Sequence, residues 1–225
     1  MKKESKRVTA EAPVKIEAVL EIASRFELSN YQRPLAARED WENLILNFCQ
    51  GRELILDAAC GVGESSFKLG LKYPDCAVLG VDKSASRVDR KNAFKKQLPP
   101  NVKIIKGDML DIWMVLKGLV DSGRLSVRKQ YILYPNPWPK NKGLKKRWYA
   151  NPILPFIMGL EAPIEARSNW RRYLEDFKIV GEKLCDHVGS LEVIEIFEDE
   201  GAMTPFEKKY HESGQELFLL KLEKL

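Results

Sequence analysis

From residue 53 onward, short apolar runs that end in polar or turn residues alternate with segments of helical length and pattern. The runs are ELILDA (53–58), CAVLGVD (76–82), VKIIKGD (102–108) and QYILYP (130–135). Between them lie Glu64–Lys72, Ser84–Gln97 and Met109–Asp121. Such alternation forms βαβ units, whose parallel sheet is covered on both faces and therefore carries strands that are apolar throughout. Three later runs, APIEAR (162–167), LEVIEIF (191–197) and ELFLLKL (216–222), raise the count to seven, with a helix expected from Asn169 to about Cys185. No crossover helix of full length is evident between the last two runs, which predicts an antiparallel last strand. The expected fold class is α/β, with a seven-stranded, mostly parallel sheet.

Ahead of this regular part, the first seven residues hold Lys2, Lys3, Lys6 and Arg7 against a single acid, Glu4. A helix is expected from Pro13 to about Glu27, where Ile16, Val19, Leu20, Ala23 and Phe26 recur at helical spacing, and another from Leu35 to about Phe48. Residues 1–50 thus read as a basic arm and helical cap on a main unit of 51–225, the whole forming one structural domain. No uncharged apolar run approaches the ~18 residues of a membrane helix, and the basic start has no apolar segment behind it. A cytoplasmic protein without a membrane partner is expected, as monomer or homodimer. Cys49, Cys60, Cys76 and Cys185 lie far apart, and with only two histidines the chain offers neither a disulfide framework nor a clustered metal site. The formal charge of +5, from 37 Lys and Arg against 32 Asp and Glu, is small enough that its location matters more than its size.

Two places concentrate chemistry. At the end of the first run, Asp57-Ala-Ala-Cys-Gly61-Val-Gly63-Glu opens directly into a helix, and the glycines allow a sharp turn and close approach of a ligand to bare backbone. Asp82 follows at the end of the second run, placed to accept hydrogen bonds from a ribose diol, and Asp108 ends the third. Ligands of open α/β sheets collect at this carboxyl edge. The third glycine of the dinucleotide fingerprint is absent.

The second place follows the fourth run: Tyr134-Pro-Asn136-Pro-Trp138-Pro-Lys140, then Lys142, Lys145, Lys146 and Arg147. Three prolines in five residues stiffen the loop, and Trp138 offers a flat face on which stacking of a base is worth ~1–3 kcal/mol. Five cations in eight residues, with no acid among them, read as a phosphate-binding footprint.

The order D-x-x-C-G-x-G, an acid after strand two and G-D after strand three resembles the Rossmann-like class I S-adenosylmethionine (SAM) methyltransferases. The loop resembles the PDPWPK-x-x-H-x-KRR signature of the TrmB family, the bacterial tRNA (guanine-N7-)-methyltransferases. Met203-Thr204-Pro205-Phe206-Glu207-Lys208 is similar to that family's T-x-F-E-x-R close, and Ser168-Asn169-Trp170 stands where it carries T-D-W. The resemblance implies methyl transfer from SAM to N7 of a guanine in tRNA. It implies SAM contacts at Asp57, Gly61, Gly63, Asp82 and Asp108, with Asp57 holding the amino group. Asn136 becomes the catalytic position, shared by cofactor and acceptor. Trp138, Lys140, Asn169, Thr204, Phe206 and Glu207 would line or close over the substrate, and Lys142, Lys145, Lys146 and Arg147 would meet the RNA backbone.

The chain departs from the family pattern at three positions. Asn136 and Asn169 replace aspartates, and Gly143 replaces the histidine. Asparagine offers one acceptor oxygen and a donor amide where a carboxylate offers only acceptors. Two alternatives follow: an N-methyltransferase acting on another base or a small nitrogen heterocycle, and a non-catalytic SAM- and RNA-binding homologue.

Overall fold

A computed structural model of the chain describes residues 15–24, 35–89, 97–195 and 201–225. Seven strands, β1 (Leu54–Ala58), β2 (Ala77–Asp82), β3 (Val102–Lys106), β4 (Val127–Leu133), β5 (Ile164–Ser168), β6 (His187–Val193) and β7 (Phe218–Lys224), form one sheet. Its order is β3-β2-β1-β4-β5-β7-β6. The β1–β2, β2–β3, β1–β4 and β4–β5 pairings are parallel, while β7 runs antiparallel to both β5 and β6. The antiparallel last strand and the mostly parallel sheet agree with the reading of the sequence.

The helices are α1 (Ile16–Ser24), α2 (Leu35–Cys49), α3 (Glu64–Lys72), α4 (Ala85–Val88), α5 (Met109–Asp121), α6 (Leu154–Met158), α7 (Arg171–Leu184) and α8 (Pro205–Glu212). Side chains of a strand alternate between faces, so each central strand feeds two cores. Leu54, Leu56, Leu79 and Val81 join the larger core, with Val19 of α1, Ile45 of α2, Trp113 of α5 and Phe177 of α7. Ile55, Val78, Ile104 and Tyr131 face the other way, onto Leu69 of α3. In the larger core, the Trp113 indole N–H donates to Gln130 Oε1 at 3.1 Å, and Gln130 Nε2 donates to the Ile157 carbonyl at 2.8 Å. Trp113 therefore serves as core rather than as a stacking platform. The four cysteines are free thiols.

Several expectations shift. Strand β6 begins four residues before the expected LEVIEIF run, and α6 and α8 were not expected as helices. The segment expected as a long helix from Ser84 contains α4, but Arg90, Lys91, Lys95 and Lys96 of its basic face lie outside the described residues, as does the N-terminal arm. Among the described residues, no helix is long and apolar enough to cross a membrane, and no group of three His, Cys, Asp or Glu could hold a metal ion.

Candidate active site at the carboxyl edge of the sheet

The turn after β1 is drawn tight by its own backbone and by the acid of the neighbouring strand. Gly61 and Gly63 adopt φ of 63° and 86°, a left-handed conformation that glycine reaches without strain. The Gly61 N–H donates to Asp82 Oδ2 at 3.0 Å, and the Ser84 N–H donates to Asp82 Oδ1 at 2.8 Å. One carboxylate thus ties the turn after β1 to the turn after β2. Arg87 Nη1 approaches Asp82 Oδ2 at 3.3 Å from a half-exposed side chain. Among the described residues, a Cβ at Gly61 would meet nothing within 4 Å, so the turn presents bare backbone there. A Cβ at Gly63 would fall 2.1 Å from Ile104 Cδ1, because α3 starts directly against β3.

Asp57 shares the strand face of Ile55, the face that α3 covers. Its carboxylate therefore sits under the first turn of α3, fully buried, where Oδ2 accepts the Ser65 and Ser66 hydroxyls at 2.6 Å each. Burial pushes its pKa from 3.8 to about 6; the two serine hydroxyls oppose that shift and the Asp82 charge adds to it. Asp57 Oδ1 is buried and has no partner among the described residues. Asp108 caps α5, its Oδ1 accepting the Leu110 N–H at 3.0 Å. An adenosyl sulfonium cofactor fits this arrangement. Open backbone at Gly61 and a carboxylate at Asp82 suit a ribose, and the bare oxygen of Asp57 suits an amino group.

The Pro-Trp loop leaves β4 through Tyr134, whose φ of 51° is matched by 45° at Trp138. Asn136 is exposed, and its Oδ1 accepts the Trp138 N–H at 3.3 Å, so its oxygen is engaged within the loop. The Trp138 ring is 37% exposed, with Lys146 Nζ 4.3 Å from its centroid. Lys140, Lys142, Lys145 and Lys146 are all exposed.

Arg147 corrects the sequence reading. Only 2% exposed, it points away from any phosphate track and donates through Nε and Nη2 to the Trp138 carbonyl. The reason is local geometry: residues 141–146 form a 3₁₀ turn, in which side chains three apart share a face, so Arg147 follows buried Leu144 inward while Lys145 and Lys146 face water.

On the far side, Thr204 is the N-cap of α8, its hydroxyl accepting the Glu207 N–H at 3.0 Å. Phe206 is exposed, stacked on Tyr210, which in turn lies 5.7 Å from the Tyr134 ring. Glu207 is buried, and its Oε1 accepts Arg167 Nη1 at 2.9 Å. Burial raises the Glu207 pKa, and Arg167 opposes it. Arg167 is shared with Glu165, which Lys129 also holds, so an ion chain runs from β4 through β5 to α8. Asn169 Nδ2 donates to Gln215 Oε1 at 2.7 Å, linking the end of β5 to the approach to β7. Lys68 of α3 donates to the Ala202 carbonyl, so the segment entering α8 is fastened over the glycine turn's own helix. The sequence reading missed Ser65, Ser66, Tyr134 and Arg167. The two hydroxyls directly after the glycine turn, and two opposite charges on one face of an apolar strand, were the available signals.

Comparison with known proteins gives a consistent picture. Residues 51–220 match the family described as "Putative methyltransferase". The tRNA (guanine-N(7)-)-methyltransferase of Thermotoga maritima is 26% identical over 83% of this chain and 58% of its own length. Its counterpart from Streptomyces coelicolor is 24% identical over 57% of this chain and 47% of its own length. The chain thus spans about half the length of these curated relatives. Among solved structures, an antibiotic-related methyltransferase superposes with a TM-score of 0.54 at 15% identity, over 96% of both chains, which establishes the shared fold. With most of its length matched and the glycine turn, Asp82 and the Pro-Trp loop gathered on one sheet edge, the chain belongs to this methyltransferase family, as a divergent relative of the TrmB proteins.

Proposed function

We propose that the protein transfers a methyl group from SAM to N7 of a guanine in tRNA. In this reading residues 51–225 form the transfer domain and residues 1–50 a basic arm and helical cap, in a cytoplasmic protein. The observation that carries the reading is the placement of two features at one carboxyl edge: bare backbone at Gly61 held by Asp82, and the half-exposed Trp138 among exposed lysines.

Bound SAM supplies an electrophilic methyl group on a sulfonium. The chain's own part is alignment. Guanine N7 carries an in-plane lone pair, so no residue has to remove a proton before attack, and orientation alone can supply ~7–11 kcal/mol of the barrier reduction. Gly61 and Asp82 hold the ribose side, Trp138 stacks the base, and Lys140, Lys142, Lys145 and Lys146 neutralise backbone phosphates.

Radiolabel transfer from SAM to tRNA lacking N7-methylguanosine, read by nucleoside mass spectrometry, tests the proposal. A labelled N7-methylguanosine peak is expected, with affinity that weakens as salt rises. Changing the four lysines to alanine should lower the salt slope by up to ~0.7–0.9 per phosphate contact removed. No label on any transcript, at any salt concentration, would overturn the reading.

One observation favours a second reading, transfer to a different nitrogen. Asn136 already engages its oxygen with the Trp138 N–H, and its other polar atom is only a donor, where guanine's N–H groups call for acceptors. Under the guanine reading, Asn136→Asp should raise transfer to guanine about tenfold, the worth of one charge-assisted hydrogen bond. A methylated nucleoside other than N7-methylguanosine from the native chain, with no gain from the aspartate variant, would favour the second reading.

A further inference from the structure

The run of cations after the Pro-Trp loop is not uniform. Lys142, Lys145 and Lys146 face water, whereas the Arg147 guanidinium is enclosed. Its Nε and Nη2 donate to the Trp138 carbonyl at 3.3 and 3.1 Å, and Nη2 also reaches the Pro139 carbonyl at 3.4 Å. Nη1 donates to the Tyr149 hydroxyl at 2.9 Å, and that hydroxyl donates to Asp176 Oδ2 on α7 at 3.0 Å. The guanidinium carbon lies 4.9 Å from the centre of the Trp170 ring, at the foot of α7. Asp176 is completed by Arg172 at 2.6 Å. The Arg147 side chain thus ties the Pro-Trp loop to α7.

We propose that Arg147 is a positioning residue that fixes the Trp138 backbone in its left-handed conformation, and with it the Trp138 ring and the Asn136 amide, against α7. The inference rests on the transfer reading above for its consequence in catalysis, but not for its structural content.

Trp138 sits at φ 45°, a conformation that a non-glycine residue rarely adopts and that persists only where the surroundings hold it. The Arg147 fork gripping the Trp138 carbonyl is such a hold. Gly143 adds to it from the other side, since a Cβ there would lie 2.9 Å from Trp138 Cβ. The Asn136 side chain follows because it binds the Trp138 N–H. Lysine could keep the charge near Asp176, but a point charge on a flexible stem cannot span two carbonyls and a hydroxyl while lying on an indole.

The test uses the full chain carrying fluorotryptophan, with the Trp138 resonance assigned by its loss in Trp138→Phe. In Arg147→Lys the Trp138 signal should shift and broaden while the buried Trp113 signal stays. Methyl transfer should lose about tenfold to a hundredfold in kcat, as expected for displaced reacting groups, with KM for SAM and the salt slope for tRNA unchanged. Tyr149→Phe, which removes one anchor of the guanidinium and keeps the charge, should move the same signal less. The proposal is overturned by an unmoved Trp138 signal in Arg147→Lys, or by a raised KM for tRNA with a lower salt slope, the pattern of a phosphate contact. Absence of transfer by the native chain would sink the transfer reading, while the fluorine spectra would still decide the positioning role.

Discussion

Replacing Asp57 by alanine is expected to destabilise the protein by about 2–6 kcal/mol near pH 4, because it strips the acceptor from two buried hydroxyls at once and each stranded donor costs about 1–3 kcal/mol. Ser65 and Ser66 both donate to Asp57 Oδ2 at 2.6 Å beneath the first turn of α3, and both serines are 2% exposed or less. Asp57→Asn separates hydrogen bonding from charge, since its amide oxygen can still accept from the serines. The pH response carries the sign. Burial raises the Asp57 pKa from 3.8 to about 6, so between those values the folded state binds the proton more tightly than the unfolded chain. Stability from this group is fully present below pH ~4 and is lost as pH rises through ~6, by about 3 kcal/mol at 1.36 kcal/mol per unit. Urea denaturation across pH 4–7 should therefore show the asparagine variant gaining on the native chain as pH rises. Parallel pH profiles for the two proteins would show that Asp57 does not titrate in this window.

How much of this was legible beforehand depended on how local each cause is. Helices α3 and α5 fall on the expected residues because their starts are set within a few residues of chain, by left-handed Gly63 and by Asp108 capping Leu110. Strand β6 was expected from 191 and begins at His187, because an edge strand with alternating exposure has no apolar run of its own. Its register comes from β7, with His187 opposite Lys224 and Val193 opposite Phe218. Helix α8 was hidden in plain view. The T-P-F-E segment was read as a family signature, although Thr204, the proline at the first turn and Glu207 at N3 are also a helix start.

The same division holds at the site. The glycines and the acid of β2 were visible because a turn and a strand end are sequence-local. Arg147 was not, since in a run of cations only the fold decides which one turns inward. The three-residue step from Leu144 was the single hint. The Glu207–Arg167 pair lies forty residues apart and exists only once β5 and α8 meet. Asn136 was singled out from the sequence, but the use of its oxygen by the Trp138 N–H depends on a loop conformation that no pattern encodes.

Asp82→Ala is expected to have the largest effect on cofactor binding. The carboxylate is 2% exposed and holds the Gly61 and Ser84 N–H groups, one on each oxygen, with Arg87 beside it. A carboxylate has about four acceptor sites, so the two backbone bonds leave capacity for a ribose diol. Alanine removes that capacity and also releases the Gly61 N–H that sets the turn. Two hydrogen bonds to a charged acceptor at about 1.5–3 kcal/mol each amount to roughly a hundredfold to ten-thousandfold weaker SAM binding. Calorimetric titration with SAM and with its demethylated product should show the same loss for both ligands, because the ribose is common to them. Asp82→Asn should fall between, as its amide keeps one acceptor oxygen but sets a donor against one of the two N–H groups. Should the alanine variant bind SAM within threefold of the native chain, Asp82 would be a clasp between the turns after β1 and β2 and nothing more. The cofactor would then have to be held by the Gly61 backbone and by the other carboxylates of this edge, Asp57 and Asp108.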